Sequence, residues 1–146
     1  MLHVCAGKVK DYPYRGFGIH DKTLDLDPEM QPDYLKDARL PFPLDNGPFE
    51  GLPWAAVLID RPYTPEDADH YAPGRDVLPS ANLLVKNGIA VVPIGGKVGI
   101  LDYIVPQPPK NASFVALIGV STGYNNRIRA YSVFERMAET KEEKDG

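Results

Sequence analysis

Proline and glycine interrupt this chain every few residues. The 146 residues include 15 prolines and 13 glycines, nearly one residue in five, against a usual share of roughly 12%. They form no low-complexity tract. Proline breaks helix interiors and glycine weakens them. Helices must therefore be few and short, and the fold must rest on short strands and turns. A chain of this length makes one domain and buries roughly 70% of the surface its unfolded form exposes. That domain is expected over residues 1–138, with a charged, frayed tail at 139–146. The single cysteine, Cys5, excludes an intrachain disulfide framework and a Cys-cluster zinc site. Sixteen basic against twenty acidic residues leave a formal charge of -4. No basic excess exists to hold a nucleic-acid backbone by electrostatics alone. No apolar run approaches the roughly 20 residues of a membrane span. Met1–Cys5 does not read as a signal peptide, and the expected compartment is the cytoplasm.

Between the breakers lie short apolar runs. Leu2–Ala6, closed by Gly7, predicts a buried first strand. Residues 8–22 have no helical period and contain Pro13, Gly16 and Gly18, so they are expected to be loop. Thr23–Asp27 predicts a second strand stopped by Pro28, and Asp37–Phe42 a third strand end or turn. Trp54–Ile59 is apolar on both faces, the pattern of a central parallel strand, and delivers Asp60 to its end. A short helix can start at Pro65 with Thr64 as N-cap. Pro79–Val91 predicts the best helix, with Leu83, Leu84, Asn87 and Val91 at helical spacing and Ser80 as cap. Lys97–Val105, Ser113–Val120 and Arg127–Arg136 predict three more strands, the last two an antiparallel hairpin. The class is α/β, with a mixed, mostly parallel sheet.

In such sheets ligands bind beyond the carboxyl ends of the strands. Four segments lie there. Cys5-Ala6-Gly7 is a small-residue turn that lets a ligand approach the backbone, or simply a tight turn. Asp25 can accept from two ribose hydroxyls, or belong to a solvated turn with Asp27 and Glu29. Asp37-Ala38 can meet a purine amino group, or stand over a core Leu40-Phe42 pair. Asp60-Arg61-Pro62-Tyr63 is the sharpest. Its carboxylate and a backbone carbonyl can accept both hydrogens of a planar amino group, and its tyrosine can stack on the ring that bears it. Alternatively it is a strand-ending turn with a packed tyrosine.

Taken in order, these segments resemble the class I S-adenosylmethionine-dependent methyltransferases, in particular the amino-methylating group with an Asp-Pro-Pro-Tyr motif. Leu2–Gly7 resembles the first cofactor motif, Leu24–Glu29 the acidic ribose loop, and Asp37–Phe42 the adenine-contacting loop. Asp60–Tyr63 stands where the catalytic motif belongs, and Val92–Lys97 resembles the Pro-Gly-Gly turn before the fifth strand. The resemblance implies a single Rossmann-like methyltransferase domain that binds S-adenosylmethionine through Cys5, Ala6, Gly7, Asp25, Asp37 and Ala38. It implies catalysis through Asp60, Arg61, Pro62 and Tyr63. Three departures stand out. Gly7 is followed by Lys8-Val9-Lys10 rather than further glycines, the first helix is missing, and Arg61 replaces a proline.

The expected function is methyl transfer to an amino group of a nucleobase, in a nucleotide or a nucleic acid. The alternatives are a non-catalytic module that binds a nucleotide or a protein, and a cofactor-degrading or cofactor-sequestering protein. With no first helix, the aromatic stretch Tyr12–Phe17 lies beside a site lacking one wall. A homodimer or a partner subunit is expected to complete it. Asp67, Asp69 and His70 are expected to form a solvated face rather than a metal site. Asn111-Ala112-Ser113 matches a glycosylation acceptor that no secretion signal supports. Arg127 and Arg129, near a hairpin turn, could meet an anionic substrate, but two arginines on an exposed strand are expected to be solubilising.

Overall fold

The computed structural model describes residues 1–45, 47–61, 79–121 and 128–139. Its strands are β1 (Leu2–Val4), β2 (Lys22–Asp25), β3 (Tyr34–Leu35), β4 (Ala56–Asp60), β5 (Lys97–Asp102), β6 (Ala112–Ser121) and β7 (Ile128–Arg136). They form one sheet in the order β3-β2-β1-β4-β5-β7-β6. The first five are parallel; β7 runs antiparallel between β5 and β6. The order turns back at β1, which pairs with β2 on one side and β4 on the other. In open α/β sheets, such a reversal is where ligands bind beyond the carboxyl ends of the strands.

Side chains alternate across the sheet. Val57 is in register with Leu2 and Val98, and Val98 with Phe134; Ile59 pairs with Val4 and Ile100. All seven are buried and make one face of the core. Helix α1 (Ala81–Ile89) packs there through Leu84, Val85 and Ile89. Gly88 makes the close approach possible, because a Cβ at that position would stand 2.9 Å from the Val98 side chain. Trp54 closes the same core. Its backbone N–H donates to the Val91 carbonyl at 2.8 Å and its indole N–H to the Pro43 carbonyl at 2.7 Å.

The opposite face carries His3, Leu58 and Gly99, which are in register. No helix stands between β1 and β2. Turns fill residues 7–20 instead, as the breakers there predict. Tyr14 and Phe17 from this stretch lie against the His3 ring, with centroids 5.6 and 5.0 Å away. Tyr12 is exposed. His3 is buried, with Nε2 3.3 Å from the Asp21 carboxylate and 3.4 Å from the Tyr14 hydroxyl.

The structure corrects several element boundaries. The third strand is Tyr34–Leu35, and Asp37–Phe42 after it is turn and irregular chain, so of the two expectations there the turn holds. There the Asp37 carboxylate accepts from the Arg39 backbone N–H and guanidinium, the local bonding of a turn rather than of a strand ladder. β5 stops at Asp102, where the Asp102 carboxylate accepts the Tyr103 backbone N–H at 2.6 Å. Ser80 occupies the N-cap of α1 but makes no side-chain cap bond. The turn after α1 matches the expectation: Gly96 N–H donates to the Pro93 carbonyl at 2.7 Å. The expected helix start at Thr64-Pro65, Asp67, Asp69, His70, Arg127 and residues 140–146 of the tail lie outside the described residues. Among the described residues, no helix is long and apolar enough to cross a membrane.

Candidate functional site

β1 ends at Val4, and the chain leaves the sheet through two left-handed residues, Cys5 at φ 55 and Gly7 at φ 52. Glycine adopts that conformation freely; for a cysteine it is costly. The turn is tied to β2. Ala6 N–H donates to the Leu24 carbonyl at 3.3 Å, and Gly7 N–H donates to Oδ2 of Asp25 at 2.8 Å. The other oxygen of Asp25 accepts the Asp27 N–H at 3.0 Å. Asp25 thus stitches its own loop to the first turn. A Cβ on Gly7 would meet nothing within 4 Å, so the backbone here borders open space.

The next loop is organised by Arg39 and Asn87. Both oxygens of Asp37 accept from the Arg39 guanidinium, the shortest bond being 2.7 Å, and Oδ1 also accepts the Arg39 backbone N–H. The Arg39 bonds hold the Asp37 carboxyl below the usual carboxylate range. Ala38 is buried. Its carbonyl and that of Leu40 both accept from the Asn87 side-chain amide, at 3.0 and 3.1 Å. Asn87 belongs to α1, so one amide fastens the loop to the helix. By sequence, Asn87 is only a position at helical spacing. The available signal was a two-donor amide among apolar neighbours on the buried face.

β4 delivers Asp60 to the same end of the sheet, where it is exposed. Arg61 turns the other way and is buried, bonded to Asp102 and to the Pro79 carbonyl. Nothing in the sequence alone singles out Asp102. Its position two residues past Ile100, on the apolar face of β5, was the only hint. Pro62 and Tyr63 lie outside the described residues.

These groups stand at the ends of four neighbouring parallel strands, with Cys5 just past the end of β1. Loss of water pushes its thiol far above its ordinary range; the carboxylates of Asp25 and Asp60 push the same way, Arg61 opposes them, and Asp37 adds to them. Four separate segments therefore act electrostatically on one sulfur. The thiol stays protonated at neutral pH, which removes its nucleophilicity. The edge presents carboxylates and carbonyls, so it suits a ligand rich in hydrogen-bond donors or positive charge. Among the described residues, no group of three or more His, Cys, Asp or Glu is placed to hold a metal ion.

No protein-family model matches the chain, and no curated protein matches it. Solved structures do. TrmN from Thermus thermophilus superposes with a TM-score of 0.60 at 15% identity, over 93% of this chain and 43% of that one. An rRNA methylase from Streptococcus thermophilus gives 0.53 at 9% identity, over 94% and 86%. A single-site variant of LepI, in complex with SAH and a substrate analogue, gives 0.52 at 11% identity, over 93% and 42%. The chain spans less than half the length of TrmN. The fold is the Rossmann-like methyltransferase fold, with its parallel sheet and terminal antiparallel strand pair.

Proposed function

We propose that this chain is an S-adenosylmethionine-dependent methyltransferase acting on an amino group of a nucleobase, in a nucleotide or a nucleic acid. The observation that carries this reading is the placement of Cys5, Asp25, Asp37 and Asp60 at the carboxyl ends of the four adjacent parallel strands β1, β2, β3 and β4. The fold supports it, and so does SAH in the LepI structure of the same fold. The rRNA methylase of the same fold supports the substrate class.

The residues present fit the cofactor. The open backbone at Gly7 leaves room for close approach. Asp25 keeps a second lone pair on each carboxylate oxygen for ribose hydroxyls, beyond those taken by Gly7 and Asp27. Asp37 and Ala38 would border the adenine. When bound, S-adenosylmethionine supplies an activated methyl group on a cationic sulfur, a charge that an acidic edge favours.

Asp60 and the Arg61 carbonyl would accept hydrogen bonds from the substrate amino group and orient its lone pair. Asp60 would also stabilise positive charge as it develops on the nitrogen, and such preorganised electrostatics is usually the largest catalytic contribution. Tyr63 would stack on the base. A base within a duplex would have to leave the stack to reach this edge.

A second reading, a binding module without turnover, is favoured by one observation. Asp25 and Asp37 already satisfy the protein's own donors. Transfer of a labelled methyl group to nucleotides, single strands and duplexes separates the two. Asp60→Ala should lower turnover about 10²–10³-fold, the scale of one lost preorganised contact, with cofactor affinity unchanged. Equal label incorporation by wild type and Asp60→Ala rejects the assignment of Asp60. Cofactor binding without any transfer favours the binding module.

A further inference from the structure

Accepting an amino group at Asp60 requires nothing of the Arg61 side chain or of Asp102. Yet these two form the most deeply buried ion pair among the described residues, with side chains 9% and 2% exposed. Strand alternation brings them together. Ile59 and Ile100 are register partners on the face that carries α1. Two residues further along each strand, Arg61 and Asp102 meet on that same face. Asp60 lies between Ile59 and Arg61 and therefore belongs to the opposite face, where it is in register with Leu101.

The guanidinium has a second partner. Its Nη1 donates to the Pro79 carbonyl at 2.9 Å, one residue before the N-cap of α1. The other oxygen of Asp102 accepts the Tyr103 backbone N–H at 2.6 Å. One arginine thus joins the end of β4, the end of β5 and the start of α1. A buried ion pair is a poor source of stability, since well-packed apolar residues often do as well. What it supplies is direction. A planar fork held by a carboxylate and a carbonyl admits one geometry, and fixing residue 61 fixes the peptide that carries Asp60.

We propose that Arg61 and Asp102 are positioning residues for Asp60. The clamp replaces, by long-range bonds, the local rigidity that a proline ring would impose through its fixed φ. This rests on Asp60 being the acceptor of the substrate amino group.

The test uses the full chain carrying Arg61→Met and Asp102→Leu together. With both charges gone, neither is left buried and unpaired, so the double variant should lose less stability than either single variant, its remaining loss coming from the Pro79 carbonyl and the Tyr103 N–H left without their partners. Two readouts then follow. Hydrogen exchange at the amides of residues 58–61 needs no substrate and should accelerate about tenfold or more. Turnover in methyl transfer should fall about tenfold to a hundredfold, with KM and S-adenosylmethionine affinity unchanged. Arg61→Pro with Asp102→Leu should recover part of that turnover. Asp102→Asn, which keeps shape and loses charge, should show both effects in weaker form, and it decides the matter if the double variant does not fold. Unchanged exchange at 58–61, or wild-type turnover in the double variant, overturns the clamp. If wild type transfers no methyl group at all, the methyltransferase reading fails and the exchange measurement alone decides the clamp.

Discussion

Gly7 donates its backbone N–H to Oδ2 of Asp25 at 2.8 Å, across the gap between the ends of β1 and β2. The second oxygen of the same carboxylate holds the Asp27 N–H at 3.0 Å. One side chain thereby sets the conformation of both loops that border the proposed cofactor site. Its bonds are charge-assisted, and such bonds contribute roughly 1.5–3 kcal/mol each.

Asp25→Ala should therefore act twice. It should lower folding stability by about 3 kcal/mol or more, because two backbone donors lose their charged acceptor. It should also weaken S-adenosylmethionine at least about tenfold through the lost ribose contacts and the loosened turn. Urea denaturation and calorimetry check the two arms separately. Unchanged cofactor affinity in a folded Asp25→Ala protein would show that Asp25 is a loop staple and nothing more.

Asn87→Asp is nearly isosteric, so it probes the amide donor without creating a cavity. The variant would set a carboxylate against the Ala38 and Leu40 carbonyls, in place of bonds at 3.0 and 3.1 Å. The expected cost is about 2–3 kcal/mol, more than a simple lost bond, because two acceptors now face a charge. Loop 37–42 should detach from α1, and adenosyl-ligand affinity should fall with it. A denaturation midpoint equal to wild type would rule out the fastening role.

Stability should depend on pH through His3. Burial is the dominant influence and lowers its affinity for a proton; the neighbouring Asp21 carboxylate only partly offsets this, and the nearby chain terminus lowers it again. The sign follows. As pH falls below about 6.5, the ordinary value for histidine, the unfolded chain takes up a proton that the folded chain resists. The His3 contribution to stability is thus intact above that value and is lost as pH falls from it toward the lower folded-state value. Denaturation curves between pH 7.5 and 5 should show stability falling in wild type. His3→Gln should flatten that part of the profile. An identical slope in the variant would assign the dependence elsewhere.

Much of this protein is legible from sequence because its information is local. A short apolar run ended by a breaker announces a strand whatever surrounds it. So the first two strands, the fourth strand with its terminal Asp60, the helix through Leu84 and the last two strands follow from periodicity and turn chemistry. The absence of a helix between β1 and β2 follows equally from Pro13, Gly16 and Gly18. Even the left-handed backbone at Gly7 is what a glycine after a strand suggests.

Tertiary structure alone decided what the polar side chains do, because their partners are far away in the chain. Arg61 follows the exposed Asp60 in sequence, but Asp102, 41 positions on, draws it into the core through the β4–β5 register. Asn87 finds its acceptors 47 and 49 residues back. Asp25 meets Gly7 only because β1 and β2 are parallel neighbours. Periodicity tells which face a residue occupies. It says nothing about which donor will be waiting there, since that depends on the order in which the strands assemble.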